Sequence, residues 1–135
     1  MDPKQLLELW IEDFQRCDAQ AVADRYAADA FNFQVATGRP DVGKGSIHLG
    51  LVEFFTAFPD AWSVVENLIG DGDRAAWEWR GGGTWTGKFL GYEPTGRSFE
   101  IRGCGFFLFR DGLIVEQRGY WDKQSWFSQI GLPIE

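Results

Sequence analysis

The sequence predicts an α+β domain in which helices lie across the concave side of a strongly curved antiparallel sheet and enclose a pocket. Three observations carry this. Helical spacing of apolar residues dominates the first half of the chain, and period-2 runs fill the second. The later strands are long for a small domain and carry internal glycines, where a bulge or sharp bend would be needed. Seven Trp and twelve Phe in 135 residues, 16% aromatic with Tyr, exceed what a core of this size needs. Such a surplus points to a ring-lined cavity or to an aromatic face packed on another subunit.

Asp2 followed by Pro3 reads as an N-cap with proline at the first helical position. Leu6, Leu7, Trp10, Ile11 and Phe14 then recur at helical spacing, predicting a helix to about Cys17. Asp18 caps a short second helix carrying Val22 and Tyr26, which Asp29 and Ala30 end. Phe31–Val35 alternates as a strand, and residues 37–45 form a loop. Ser46 is a candidate cap for a helix with Ile47, Leu51, Phe54, Phe55 and Phe58 on one stripe, stopped by Pro59.

Strands are then predicted at Trp62–Ile69, at Ala75–Arg80, resuming at Thr84–Leu90 after the triple glycine 81–83, at Ser98–Phe109 and at Leu113–Trp121. Asp111-Gly112 is a tight hairpin signal between the last two. Lys123–Ile130 forms a closing helical turn, with Gly131 as its C-cap. The length fits one domain spanning 1–135.

The net charge of −7 argues against nucleic acid and anionic membrane as partners, since both demand basic patches. Cys17 and Cys104 have neither metal spacing nor a CxxC arrangement and read as free buried thiols. With one His and two Cys, no metal site is expected. No signal-like or spanning apolar run is present, so a cytoplasmic location is expected. A sheet face rich in Phe, Trp and Leu would be covered by self-association, most simply a homodimer through the outer sheet face.

Four stretches resemble one family. These are Phe54-Phe55-Thr56-Ala57-Phe58-Pro59-Asp60, then Gly83-Thr84-Trp85-Thr86-Gly87 running to Pro94-Thr95-Gly96-Arg97, then Asp111-Gly112-Leu113-Ile114-Val115-Glu116, and finally Tyr120-Trp121-Asp122 with Gln129-Ile130-Gly131. Together they resemble the SnoaL-like polyketide cyclases of the nuclear-transport-factor-2-like superfamily. The resemblance spans about residues 44–132 and implies a cone-shaped fold around a pocket. It also implies chemistry without a cofactor: intramolecular aldol cyclisation, with related isomerases, lyases and epoxide hydrolases in the superfamily.

By that resemblance Asp122 is the general acid/base, in an aromatic neighbourhood that would desolvate it. The residues alone equally allow Asp122 to be a helix cap. Arg118, Tyr120 and Asp122 share a strand face, so Arg118 could hold a developing oxyanion or simply pair with Glu116. Trp85 stands where the family has His, and Trp10 where ketosteroid isomerases have a catalytic Tyr. Asn32 and Gln34 could orient a substrate carbonyl or face solvent.

Glu78 and Arg80 lie opposite Trp77 and Trp79, and one of these faces must look inward; the likeness to limonene-epoxide hydrolases favours Glu78 and Arg80. His48 reads as a solvent-facing helix residue. The leading expectation is an acid/base enzyme acting on a small apolar or aromatic carbonyl compound, as a cyclase or isomerase. The alternatives are a non-catalytic small-molecule-binding domain and an epoxide hydrolase using Arg80 with Glu78.

Overall fold

The computed structural model describes residues 1–134. Its element order is α1 (Pro3–Gln15), α2 (Ala19–Ala23), β1 (Tyr26–Gln34), β2 (Asp41–Val42), α3 (Lys44–Ala57), β3 (Trp62–Asp71), β4 (Arg74–Thr84), β5 (Ser98–Arg110), β6 (Leu113–Trp121) and α4 (Lys123–Ile130). The strands make one open sheet in the order β2-β1-β6-β5-β4-β3. The later four strands pair as an antiparallel meander. β1 joins β6 in parallel, so the sheet is mixed where a wholly antiparallel one was expected. The reason is connectivity: β1 comes before the helix that crosses the sheet and returns at its far end.

Local chemistry explains the helices. Asp2 accepts from the Gln5 amide while the Gln5 side chain reaches back, a capping box that starts α1. Asp18 caps α2 and Asp122 caps α4, which ends on Gly131 in the left-handed conformation at φ 87. The N-cap of α3 is Gly43, two positions before the first-turn residue Gly45, and Ser46 lies inside the helix.

Two boundaries differ from expectation. Tyr26, Asp29 and Ala30 belong to β1, because partner strand β6 extends the pairing back to Tyr26 and tertiary pairing overrides local helical spacing. β4 runs unbroken through Gly81–Gly83, and residues 85–97 form a loop rather than a resumed strand. The glycines do not break the strand or its register there. They admit close neighbours: a Cβ on Gly82 would lie 2.0 Å from the Phe99 carbonyl oxygen. Nor do Gly103 and Gly105 mark a bulge; the β5–β6 irregularity falls between Leu108 and Phe109.

The core gathers Leu7, Ile11, Val22, Ile47, Phe58 and Phe107 between the helices and one sheet face. Both cysteines are free thiols, half-buried rather than buried. Among the described residues no helix is long and apolar enough to cross a membrane.

Candidate functional site

The concave sheet face and the helices α1, α3 and α4 leave a cavity of about 330 Å³. Six of the seven tryptophans line it: Trp10, Trp62, Trp77, Trp79, Trp121 and Trp126. Sheet register makes the room. Trp77, Gly105, Gly119 and Gln34 are partners in one row across β4, β5, β6 and β1. Two adjacent glycines therefore clear the floor between an indole and an amide. A Cβ on Gly105 would approach Trp77 Nε1 to 3.2 Å, and one on Gly119 would meet Gln34 Oε1 at 2.0 Å. In the next row Gly103 does the same for Trp79.

The polar groups inside are neutral and joined into two short chains. In one, Trp121 Nε1 donates to Gln34 Oε1 at 2.8 Å, and Gln34 Nε2 donates to Asn32 Oδ1 at 2.7 Å. In the other, Trp10 Nε1 donates to the Tyr26 hydroxyl at 3.1 Å, and that hydroxyl donates to Gln117 Oε1. Tyr26 and Gln117 are both buried. Burial pushes the Tyr26 phenol far above the usual tyrosine range, against the opposing pull of the Trp10 hydrogen bond, so it stays a neutral donor.

Two further polar atoms on lining residues, Ser63 Oγ and Trp126 Nε1, are buried without a partner among the described residues. Trp126 is packed among Phe54, Phe58, Phe89, Phe99, Trp121 and Phe127.

The ionisable carboxylates along the lining are Asp41 and Glu53, both exposed at its rim. Asp41 lies against α3: a Cβ on Gly50 would sit 3.3 Å from its Oδ2. Neither Lys, Arg nor His lines the cavity among the described residues. No group of three or more His, Cys, Asp or Glu is placed to hold a metal ion among them either.

Of the residues singled out from the sequence, Trp10, Asn32 and Gln34 come together at this cavity. The expected inward face of β4 is reversed. Trp77 and Trp79 line the cavity, whereas Glu78 is exposed and accepts from Asn67 Nδ2 at 2.5 Å. Arg80 pairs with Glu100 at 3.4 Å and lies over the Trp62 ring at 5.5 Å. The register forces this: β4 residues odd in number face the helices, and burying indoles there gains far more than burying an ion pair.

Arg118 and Tyr120 do share a face of β6, but it is the outer one. Arg118 pairs with Glu116 at 3.0 Å and lies over the Phe31 ring; Tyr120 is 42% exposed and meets Phe106 edge-on at 6.0 Å. Asp122 is exposed, caps α4 by accepting from the Gln124 amide at 3.0 Å, and does not line the cavity. A desolvated acid/base role for it has no support in this geometry. Trp85, the first residue of the 85–97 loop, is 1% exposed, donates to the Gly87 carbonyl at 2.6 Å, and is outside the cavity too. His48 is half-buried and lines nothing in the cavity.

Sequence reasoning missed Tyr26, Gln117 and Trp126. Helical spacing places Tyr26 in a helix, and Gln117 lies between the charged residues Glu116 and Arg118. The signal for Gln117 was available: odd positions 117, 119 and 121 on the last strand are Gln, Gly and Trp, an uncharged set alternating with Glu116, Arg118 and Tyr120.

The profile of the family described as SnoaL-like polyketide cyclase matches residues 4–130. Among solved structures, IdmH of Streptomyces antibioticus, a proposed polyketide cyclase, is 28% identical with a TM-score of 0.76, over 98% of this chain and 100% of that one. A SnoaL-like protein of Jannaschia sp. CCS1 is 20% identical with a TM-score of 0.84, over 98% and 94%. A protein of ketosteroid-isomerase-like fold from Catenulispora acidiphila is 18% identical with a TM-score of 0.81, over 99% and 97%. Among curated protein sequences none matches.

Proposed function

The chain belongs to the SnoaL-like polyketide cyclase family, and from that premise we propose that it acts on a small, flat, largely apolar carbonyl compound as a cofactor-free cyclase or isomerase. The observation that carries the reading is the cavity itself. It is walled by six indoles, offers neutral hydrogen-bonding groups and presents no cationic side chain among the described residues. Such a chamber suits an uncharged polyoxygenated ring system better than a phosphate or carboxylate ligand.

In the cyclisation, a base removes a proton next to one carbonyl. The resulting enolate carbon bonds to a second carbonyl carbon of the same molecule, whose oxygen then takes up a proton. No net oxidation occurs. The wall supplies the folded substrate conformation, which is where much of the rate in an intramolecular reaction arises. Amide donors stabilise the enolate oxygen. The base is a rim carboxylate, Asp41 or Glu53, because those are the ionisable carboxylates that reach the lining.

β-Tetralone tests this without knowledge of the natural substrate. In deuterated water the protein accelerates exchange of the ketone's α-protons, and Asp41→Asn with Glu53→Gln abolishes the acceleration. Exchange no faster than in buffer, with ketone binding intact, establishes the non-catalytic binding domain instead. That second reading has its own support: among the described residues no carboxylate stands deep in the cavity. Epoxide hydrolysis by Arg80 and Glu78 is not retained, since both face outward.

A homodimer through the outer sheet face belongs to the same proposal. Phe106, Tyr120 and Val64 are each at least 40% exposed on that face. Sedimentation velocity reads the oligomeric state directly.

A further inference from the structure

We propose that the side-chain amides of Asn32 and Gln117 form a paired donor site for a carbonyl or enolate oxygen of the ligand, with the polarity of the pair set by Trp121 and Trp10. This rests on the reading of the cavity as a site for a carbonyl compound, and it says where the oxygen sits.

Indole nitrogen can only donate. The Gln34 atom that meets Trp121 Nε1 is therefore its oxygen, which leaves the Gln34 nitrogen to donate to Asn32. The Asn32 oxygen is consumed, and its free end is the NH2 group. The second chain is fixed the same way. Trp10 Nε1 donates to the Tyr26 oxygen, so the buried phenolic hydrogen needs an acceptor, and Gln117 is the partner in reach. The Gln117 oxygen is consumed, and its free end is again NH2. Two indoles thus orient two chains so that both terminate in amide donors.

Register brings the two ends together. Asn32 and Gln117 are partners on the paired strands β1 and β6, side by side on the cavity face. Adjacent strands are about 4.8 Å apart, a spacing at which one oxygen can accept from both. Neither amide nitrogen has a hydrogen-bond partner among the described residues, and neither is sealed from solvent as Trp126 Nε1 and Ser63 Oγ are. A site with both acceptors spent and both donors free selects a ligand oxygen without a hydrogen. It discriminates against a ligand that must donate there, because the mismatch strands polar groups in an apolar cavity.

Fluorenone and fluorene test the pair, since they share a flat frame and differ by the carbonyl oxygen. Quenching of the cavity tryptophans gives both affinities, and circular dichroism confirms that each variant is folded. The wild type is expected to bind fluorenone about tenfold more tightly than fluorene. In Asn32→Leu and in Gln117→Met the preference shrinks to about twofold while fluorene affinity holds. The infrared carbonyl stretch of fluorenone bound to the wild type lies below its position in hydrocarbon solvent, a readout that needs no variant.

Equal binding of the two compounds by the wild type, a hydrocarbon-like stretch, or a preference that survives in both folded variants overturns the donor pair and leaves the cavity reading standing. Binding of neither compound by the folded wild type overturns the cavity reading and the donor pair with it.

Discussion

Trp121 donates its indole N–H to Gln34 Oε1 at 2.8 Å, tying the last strand to the first across the cavity wall. The bond is made between a residue two positions past Gly119 and the register partner of Gly119 itself. Among the described residues, no other hydrogen bond to the Gln34 side chain requires its oxygen to face β6. Trp121→Phe should cost roughly 1–3 kcal/mol through the lost bond and the smaller ring. It should also free the Gln34 amide to reverse, so the preference for fluorenone over fluorene narrows although neither Asn32 nor Gln117 has changed. Chemical denaturation and the paired titrations measure the two effects.

Gly119→Ala places a methyl group where the Gln34 oxygen lies, 2.0 Å from its present position. The obstructing atoms are the far end of a flexible side chain, so the fold is expected to survive with a loss of roughly 1–2 kcal/mol. The displaced amide leaves Trp121 Nε1 without an acceptor. A crystal structure of the variant should show Gln34 rotated from the β6 side, and thermal unfolding gives the cost.

Asp122 separates cap from catalyst. Asp122→Asn retains a good capping side chain and should change stability by less than about 0.5 kcal/mol, with β-tetralone exchange and fluorenone binding unaltered. Asp122→Ala should cost about 1 kcal/mol from the lost Gln124 amide bond, again without effect on the ligand.

Asp60 ties the end of α3 to the end of β4 by accepting from the Thr84 amide at 2.7 Å. That bond is the main reason its carboxyl titrates below the usual carboxylate range, against a smaller upward push from burial. A depressed folded-state pKa contributes stability above the unfolded-state value, roughly pH 4, and the contribution is lost as the pH falls through the folded-state value. Acid scans of the melting temperature should therefore fall more steeply below about pH 4 for the wild type than for Asp60→Asn.

Much of the architecture was legible because it is written in short-range chemistry. Asp2, Asp18, Asp122 and Gly131 announce helix ends, and Asp111-Gly112 announces a hairpin. The cavity was legible from the surplus of rings. Which strand face lined it was not, because Trp77-Glu78-Trp79-Arg80 alternates equally well in either orientation, and only the position of α1 and α3 decides. The helical spacing of Val22 and Tyr26 points to a helix, while the pairing of Tyr26 with Ile114 is set by a strand nearly ninety residues away. The aromatic neighbours of Asp122 suggest a site residue, yet Trp121, Trp126 and Phe127 turn into the cavity, Tyr120 turns outward, and the carboxylate turns to the helix it caps. The sequence distance between Asn32 and Gln117 hid their pairing altogether, since no local pattern reports a parallel register.

The most direct test of the account follows the side-chain amide resonances by nuclear magnetic resonance as fluorenone, and then fluorene, is added. The account predicts that the NH2 protons of Asn32 and Gln117 move to lower field with fluorenone and not with fluorene, while the Gln34 amide and the Trp85 indole stay in place. Shifts of equal size with both compounds, or movement at Gln34 without movement at Asn32 and Gln117, would contradict it.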